Sequence, residues 1–314
     1  MKYLFAAGNN VTEIREQITA TPPQSGCYNW INVFEGAVAN YHKVKDRLDE
    51  FDVVHINMVP GSFASIIDAH NRLKNSSTKL VLNNDYLPEV WEKWNQDPML
   101  YHSIQELGDC VFGTEPIQTS QMIDRAITIP HPTDVKELKR INYQTNKNWM
   151  SVIYNVYDKN LYHTTLMQQR LKDEFKFKTK LLNYVTENKI HNYCSKYFDI
   201  IKGPLSFREW LMEMGTSEVG YMPHQYHGYN RAGVEYAALG VPVVGSDRSY
   251  SLEICYPELV CNPMDFKATK ELFKQLQNKD FKEHISEKAK ERSEYFNYEN
   301  SKKRFTEMLD KVKK

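Results

Sequence analysis

One segment, residues 221–247 (YMPHQYHGYNRAGVEYAALGVPVVGSD), constrains the fold of this chain more than any other. Its pattern predicts a buried strand, a glycine-containing loop, a helix and a second buried strand in close succession. Gly228 and Gly233 carry no Cβ, so the backbone there can approach a ligand closely. The start of the helix offers N–H groups and the positive end of the helix dipole, which together suit a phosphate. The segment therefore predicts a nucleotide site in an α/β fold.

Glu235 lies early in this predicted helix, where its carboxylate can accept hydrogen bonds from both hydroxyls of a ribose. Gly240 ends the helix, and Pro242 precedes the apolar pair Val243-Val244 of the next strand. A first-turn glutamate is also favoured by the helix dipole alone. That simpler explanation accounts for Glu235 but not for the motif around it.

This segment resembles the donor-binding motif of retaining GT-B glycosyltransferases, which ends in Glu-Ala-Met-Ala-x-Gly-x-Pro-Val-Val. The second half of the motif is kept here from Glu235 to Val244, whereas His227 stands where the family has an earlier glutamate. The resemblance implies two Rossmann-like domains that face a central cleft, with the last helix crossing back to the first domain. It also implies a donor site, formed by Gly8, His227, Gly228, Tyr229, Asn230, Ala232, Gly233 and Glu235.

Strand-like and helix-like segments alternate along the chain, which predicts parallel sheets covered on both faces. In the first half, strands are predicted at residues 2–7, 53–57, 79–83, 110–113 and 126–130, and helices at 11–18, 31–48, 63–73 and 116–124. The polar stretch 133–148 lacks a sustained apolar period and contains the predicted domain boundary. The predicted domains are an acceptor domain at 1–140, a donor domain at 141–295, and a terminal helix at 296–314 that packs on the first domain.

The second half repeats the alternation, with strands predicted at residues 149–154, 180–184, 198–202, 219–222 and 241–245 and a helix at 162–175. Ser206 and Glu209 have the spacing of a capping box that opens another helix. The C-terminal region is helical and charged, and its apolar positions are Phe273, Leu276, Phe296, Phe305, Met308 and Leu309.

Composition narrows the class of protein. Lysine plus arginine and aspartate plus glutamate number 40 each, so no global basic field draws the chain to nucleic acid. The 5 cysteines are odd in number and lack CxxC spacing, which disfavours a disulfide framework or a zinc site. No apolar run approaches the ~20 residues that span a bilayer. These features predict a soluble, cytoplasmic protein with no transmembrane segment.

Sugar transfer from a nucleotide donor needs positive charge for the departing diphosphate and an acceptor held against the sugar. The resemblance implies that Lys159 supplies part of this charge, with Asn155 in place of the family's arginine and Arg231 as its substitute. Lys159 is equally consistent with an exposed loop lysine. Asp85 follows a strand, with Asn84 where relatives have histidine, and it can orient the acceptor hydroxyl or take its proton. An aspartate that only turns the chain is the alternative.

Three other positions have competing explanations. Gly8 follows the first strand and either approaches the phosphates or forms a plain turn. His131 parallels the family's hinge region and is predicted to be structural rather than catalytic. His224 and His227 are three apart, but no neighbouring carboxylate or cysteine completes a metal site. No metal or cofactor is predicted, and the nucleotide-diphosphate sugar is a substrate.

The leading hypothesis is a metal-independent, retaining glycosyltransferase that acts on a glycan, a small molecule or DNA. Residues 52–60, 82–85 and 235–240 also resemble phage enzymes that glucosylate modified cytosine in DNA, although the zero net charge weighs against that acceptor. A nucleotide-sugar epimerase would share the architecture and need no acceptor. A non-catalytic nucleotide-sugar-binding protein would explain the substitutions at Asn84, Asn155 and His227.

Overall fold

The computed structural model describes residues 1–7, 28–86, 91, 97–146, 148–154, 161–183, 192–203 and 205–312. The chain forms two compact units. Unit 1 comprises Met1–Asp134 and Phe296–Lys314, and unit 2 comprises Val135–Tyr295. Each unit contains a six-stranded sheet whose described strand pairs are all parallel. The predicted parallel α/β architecture is confirmed.

The strands of the described residues, in chain order, are β1 (Tyr3–Ala7), β2 (Ala37–Asn40), β3 (Val53–Asn57), β4 (Lys79–Asn84), β5 (Cys110–Gly113), β6 (Ile127–Thr128), β7 (Trp149–Tyr154), β8 (Lys178–Asn183), β9 (Ile200–Lys202), β10 (Val219–Met222), β11 (Val243–Ser246) and β12 (Val260–Cys261). The helices are α1 (Asn29–Phe34), α2 (Tyr41–Val44), α3 (Phe63–Leu73), α4 (Pro98–Gln105), α5 (Pro116–Ser120), α6 (Val135–Lys139), α7 (Leu161–Phe175), α8 (Phe207–Gly215), α9 (Ala232–Leu239), α10 (Tyr250–Cys255), α11 (Phe266–Gln275), α12 (Lys279–Arg292) and α13 (Tyr298–Asp310). Short 3₁₀ segments lie at Lys45–Glu50, Pro60–Ser62, Pro257–Leu259 and Ser293–Phe296. No helix in this part of the chain is long and apolar enough to cross a membrane.

The sheet of unit 1 has the strand order β2-β1-β3-β4-β5-β6 and is buried on both faces. Along β1, Tyr3 and Phe5 belong to one hydrophobic core, whereas Leu4 and Ala6 belong to another. Successive residues of a strand point to opposite faces, so these two cores cover the two sides of the sheet. Such double burial explains the nearly continuous apolar character of the strands.

The helix predicted over residues 31–48 is wrong, because β2 lies in the middle of that range. Helix α1 ends at Phe34, and Glu35 adopts a left-handed conformation with a φ of 51°. A Cβ on the following Gly36 would lie 2.6 Å from the carbonyl oxygen of Tyr3, so only glycine fits against β1. The next residues pair with β1 and bury Val38 completely. Tertiary pairing has overridden a helical period there. The helix predicted over 11–18 lies outside the described residues.

Other predicted elements occur close to their expected bounds. The strands predicted at residues 53–57, 110–113, 149–154 and 219–222 match β3, β5, β7 and β10. The helix predicted over 116–124 is shorter and ends at Ser120. The capping box is confirmed: the Glu209 N–H donates to Ser206 Oγ at 3.3 Å, and the Ser206 N–H donates to Glu209 Oε2 at 2.8 Å.

The C-terminal helix α13 packs on α1 of unit 1, which confirms the predicted return of the last helix to the first part of the chain. Its Phe305 is fully buried, with its ring centroid 4.9 Å from that of Trp30 and 5.0 Å from that of Phe34. The C-terminal positions predicted to be apolar contacts are buried at Phe273, Leu276, Phe296, Phe305 and Met308, and partly buried at Leu309.

The sheet of unit 2 has the order β12-β11-β10-β7-β8-β9. The chain starts in the middle at β7, proceeds through β8 and β9 to one edge, and then returns to β10 on the other side of β7. The strand order therefore reverses between β7 and β10, because β7 is followed by strands toward one edge of the sheet and β10 by strands toward the other. In doubly wound sheets this reversal opens a crevice that binds ligands.

Candidate functional site

The loop that follows β10, residues 223–231, leaves the sheet at this reversal point and leads into α9. We call it the glycine loop. It contains His227, Gly228, Tyr229 and Asn230 of the predicted donor site, together with Arg231, which was predicted to supply positive charge for the diphosphate. The predicted residues Asn155 and Lys159 lie outside the described residues, as does Gly8.

Backbone hydrogen bonds tie the glycine loop to the segment that follows β11. The Gly228 N–H donates to the Arg248 carbonyl at 3.1 Å, and the Tyr250 N–H donates to the Gly228 carbonyl at 3.0 Å. The Ser251 N–H donates to the Tyr229 carbonyl at 3.1 Å. This ladder holds the loop in one conformation at the entrance to α9.

Asn230 makes the sharp turn into the helix, with a φ of 53°. Asparagine tolerates this left-handed conformation better than most residues. Its Nδ2 donates to the Gly228 carbonyl at 3.1 Å, and its own carbonyl accepts from Ser251 Oγ at 2.6 Å. The turn is thus stabilised from both sides.

The two glycines of the motif have different surroundings. A Cβ on Gly233 would lie 2.2 Å from Ser251 Oγ and 2.9 Å from Leu252 Cδ2, so its side of α9 is packed against α10. A Cβ on Gly228 would have Asn230 Nδ2 as its nearest neighbour, at 3.7 Å. Gly233 thus permits close helix packing, whereas packing alone does not require a glycine at position 228.

Replacing Gly233 with alanine is expected to lower the free energy of unfolding of unit 2 by about 1–3 kcal/mol, because overpacking costs that much in a filled core. Ser251 would have to move away from the Asn230 carbonyl to make room. Gly228→Ala is the matched control and is expected to change stability by no more than about 0.5 kcal/mol. Urea unfolding of both variants measures the difference, and equal losses would contradict the assignment.

Glu235 is buried in the first turn of α9 and is only 1% exposed. Its Oε2 accepts a hydrogen bond from Trp210 Nε1 at 2.9 Å, and its Oε1 accepts one from Arg231 Nε at 2.8 Å. Burying a carboxylate is costly unless it is paired and hydrogen-bonded, and both conditions are met here. In this structure the two oxygens of the carboxylate thus face Trp210 and Arg231.

Arg231 brings a positive charge to the start of α9. Its side chain is 11% exposed, and its guanidinium carbon lies 5.5 Å from the ring centroid of Phe207. In this structure the charge is directed at Glu235, so the two predicted site residues contact each other. The positive end of the α9 dipole and Arg231 lie beside the glycine loop, as does Arg248, whose Nη1 donates to the carbonyl oxygen of Gln225 in the loop.

The two histidines of the loop differ in exposure. His224 is buried, and its backbone N–H donates to the Met222 carbonyl at 3.0 Å. His227 is half-buried. Among the described residues, no group of three or more His, Cys, Asp or Glu side chains is arranged to hold a metal ion.

Asp85 lies in unit 1, directly after β4, where polar residues from two strand ends converge. Asn57, the last residue of the adjacent β3, donates from Nδ2 to Asp85 Oδ2 at 3.1 Å. Asn83 Nδ2 and His131 Nε2 both approach Asp85 Oδ1, at 2.9 and 2.7 Å. Asn84, predicted to replace a histidine, instead donates to the Tyr86 carbonyl. Parallel strands end at one edge, which explains this convergence.

Trp210, Trp30 and Asn57 were not among the site residues predicted from the sequence. Asn57 carried a usable signal, because it is a polar residue at the carboxyl end of a buried strand. Trp210 is 25 residues from its partner Glu235, and Trp30 is 101 residues from its partner His131. No local pattern identifies contacts of that separation.

No protein-family model matches this sequence, and a search of curated proteins finds no match. Solved structures do match. A trehalose-6-phosphate protein from E. coli, bound with UDP-2-fluoro glucose, aligns with a TM-score of 0.73 at 11% identity over 99% of this chain and 100% of that one. The chain has the GT-B fold. The predicted fold, two Rossmann-like α/β units with a returning C-terminal helix, is confirmed.

Two further GT-B proteins show how widely the fold is shared. Sucrose-phosphate synthase from Thermosynechococcus elongatus aligns with a TM-score of 0.69 at 14% identity, over 99% of this chain and 88% of that one. An alpha-glucosyltransferase in complex with UDP and a 13-mer DNA aligns with a TM-score of 0.66 at 14% identity, over 99% of both chains. At such identities the likeness shows the fold, and the site must carry any argument about activity.

Proposed function

We propose that this chain is a retaining, metal-independent glycosyltransferase that moves a sugar from a nucleotide-diphosphate sugar to an acceptor hydroxyl. One observation supports this most directly. The glycine loop and the start of α9, with Glu235 in its first turn, lie at the strand-order reversal of the unit 2 sheet. That is where doubly wound sheets bind nucleotides. A protein of the same fold is bound with UDP-2-fluoro glucose.

In this proposal the diphosphate binds at the start of α9, where backbone N–H groups and the helix dipole favour negative charge. The backbone of the glycine loop, from His227 to Asn230, and the first helical residues Ala232 and Gly233 line the donor. Glu235 accepts from the ribose hydroxyls. Arg231 then leaves Glu235 and, with Lys159, offsets the charge that grows on the departing diphosphate. Gly8 is assigned to the donor because it follows the first predicted strand, where its backbone can approach the phosphates.

Asp85 is assigned to the acceptor. Its carboxylate is held by three donors at the end of the unit 1 sheet and is suited to orient an acceptor hydroxyl or to take its proton. A glycan or a small molecule is the favoured acceptor class. DNA is the second candidate, since the match to an alpha-glucosyltransferase in complex with DNA covers 99% of both chains. The net charge of zero weighs against DNA, because duplex affinity depends on phosphate neutralisation.

A thermal-shift screen tests the proposal. UDP, GDP, ADP, CDP and TDP are compared, alone and as their common sugar conjugates, with and without magnesium. One nucleotide is expected to raise the melting temperature of unit 2 by about 5–10 °C at 100 times its dissociation constant, because binding to the folded state adds about 2.7 kcal/mol. Hydrolysis and transfer assays with candidate acceptors then use the sugar conjugate of that nucleotide.

Each outcome separates the hypotheses. A shift with one nucleotide in the absence of magnesium supports the proposal, and a shift that needs magnesium contradicts its metal independence. Conversion of the sugar nucleotide into an isomer without any acceptor would identify an epimerase. Binding without turnover on any acceptor would favour a non-catalytic protein. No shift with any nucleotide would contradict the proposed donor site.

A further inference from the structure

His131 contacts Asp85 and Trp30 with its two ring nitrogens. Its Nε2 lies 2.7 Å from Asp85 Oδ1, and its Nδ1 lies 3.2 Å from Trp30 Nε1. All of Trp30 and nearly all of His131 are buried, at 0% and 4% exposure. The imidazole is therefore held between a carboxylate and an indole, away from water.

These two contacts decide where the imidazole proton lies. An indole N–H is a donor only, so Nδ1 of His131 must accept its hydrogen bond and carries no proton. The single proton of the ring is then on Nε2, from which it is donated to Asp85 Oδ1. Trp30 and Asp85 thus require the same tautomer of His131, because an indole N–H only donates and an ionised carboxylate only accepts.

A second chain of hydrogen bonds also ends at Asp85 Oδ1, and it runs from Tyr3 through His55 and Asn83. Asn83 must direct its Nδ2 toward Asp85, because an ionised carboxylate only accepts hydrogen bonds. The Oδ1 of Asn83 then accepts from His55 Nε2 at 2.7 Å, and His55 Nδ1 accepts from the Tyr3 hydroxyl. Burial lowers the pKa of His55 to about 3, which agrees with a neutral ring. Both chains donate toward Asp85.

Aromatic packing restrains the groups that make these bonds. The Phe305 ring lies 6.2 Å from His55 and 4.9 Å from Trp30, measured between centroids, and Phe112 lies 5.4 Å from His55. Close packing of this kind leaves few alternative rotamers for a buried ring. The donors are thus preorganised by a rigid apolar shell, which is what a precisely aimed functional carboxylate needs.

We propose that His131 is a positioning residue for Asp85: a neutral imidazole, held in its Nε2–H tautomer between Trp30 and Asp85, that aims the ionised carboxylate at an acceptor hydroxyl. This inference rests on the proposed function, in which Asp85 meets the acceptor. Its consequence is that the orientation of Asp85 depends on two residues more than 40 positions away in sequence. His131 itself touches neither donor nor acceptor.

Three variants test the inference. His131→Leu removes both ring nitrogens, His131→Gln keeps an N–H near the position of Nε2, and Trp30→Phe removes the indole donor but keeps an aromatic ring. His131→Leu is expected to lower kcat about 100-fold, the usual cost of misplacing a catalytic group by about 1 Å, and to leave nucleotide affinity unchanged. His131→Gln is expected to restore most of the lost kcat. Exposed His102 of α4 supplies the control, His102→Leu, with no expected effect.

An NMR readout tests the tautomer without turnover. Long-range ¹⁵N–¹H correlation of the His131 ring is expected to show protonated Nε2 and bare Nδ1 in the wild type, and Nε2 still protonated in Trp30→Phe, because Asp85 remains its acceptor. A proton on Nδ1 in the wild type would overturn the inference. So would an active wild type whose kcat survives His131→Leu, although the proposed function would then stand.

Two further outcomes complete the design. If His131→Leu does not fold, His131→Gln and Trp30→Phe decide the question. A His131→Gln variant that is as inactive as a variant without the Asp85 carboxylate overturns the inference. A kcat of His131→Gln close to that of the wild type supports it. A wild type that binds a sugar nucleotide but transfers it to no acceptor overturns the catalytic part of both proposals, whatever the tautomer of His131.

Discussion

Replacing Glu235 with glutamine is expected to lower the affinity for the nucleotide found in the screen by about 10- to 100-fold. A hydrogen bond to a charged group contributes about 1.5–3 kcal/mol, and each 1.4 kcal/mol is tenfold in affinity. Glutamine keeps the size of the side chain and a carbonyl oxygen for Trp210 Nε1. Alanine is the poorer choice, because it also empties the buried volume of the side chain and leaves Trp210 Nε1 without its acceptor.

A deoxynucleotide identifies the contact that is lost. If Glu235 binds the ribose, the wild type should bind the 2′-deoxy form of the nucleotide more weakly than the ribonucleotide. Glu235→Gln should bind the two nucleotides with the same affinity. This is a double-mutant cycle with one change made in the ligand. Titration calorimetry measures the four affinities.

Glu271→Gln is the matched control, because it makes the same change at an exposed position of α11 in the same unit. Its nucleotide affinity should equal that of the wild type, since an exposed ion pair contributes little. An unchanged affinity in Glu235→Gln would exclude Glu235 from the donor site. If Glu235→Gln lowers the affinity for the ribonucleotide and for its 2′-deoxy form by the same factor, the result would assign Glu235 to the positioning of Arg231 instead.

Replacing Phe305 with alanine is expected to lower the free energy of unfolding of unit 1 by about 3–5 kcal/mol, the usual cost of emptying a buried aromatic site. Phe305 is fully buried, and its ring lies within 6.2 Å of the rings of Tyr3, Trp30 and His55. The cavity would be surrounded by a sheet, α1 and α13, which cannot all collapse into it. Urea unfolding, followed by tryptophan fluorescence and by hydrogen exchange of β1 and β3, measures the loss.

Met99→Ala is the control for this prediction. Met99 belongs to the same unit but is 69% exposed, so its truncation should change stability by no more than about 0.5 kcal/mol. A loss below about 1 kcal/mol in Phe305→Ala would contradict the view that α13 completes the core of unit 1. If Phe305→Ala loses about 3–5 kcal/mol of unfolding free energy but the hydrogen exchange of the β1 amides is unchanged, the helix and the sheet unfold separately.

Local physics explains why so many elements were predictable from the sequence. Runs such as residues 53–57 and 219–222 are short, apolar and bounded by polar or glycine-rich segments, which is sufficient to identify buried parallel strands. The capping box joins Ser206 and Glu209, which lie three positions apart, so four consecutive residues of the sequence are sufficient to predict it. The glycine loop before α9 is equally local.

The failure at residues 31–48 has an equally physical cause. The apolar spacing there fits a helical period, but Gly36 sits where β1 leaves no room for a Cβ, and the next four residues pair with β1. A periodicity reports which side chains are buried and not what they are buried against. Only the tertiary structure could show that an edge strand was the better solution.

The sequence by itself determined the α/β class, the glycine loop and the polar residues at the strand ends, because each depends on neighbours within a few positions. Tertiary structure alone decided the strand-order reversal in unit 2 and the burial of Glu235 between Arg231 and Trp210. It also decided the hydrogen bonds that join Trp30 to His131 and His131 to Asp85. Those contacts join residues up to 101 positions apart. A hydrogen bond of that separation depends on how whole elements pack, and no local pattern of residues encodes it.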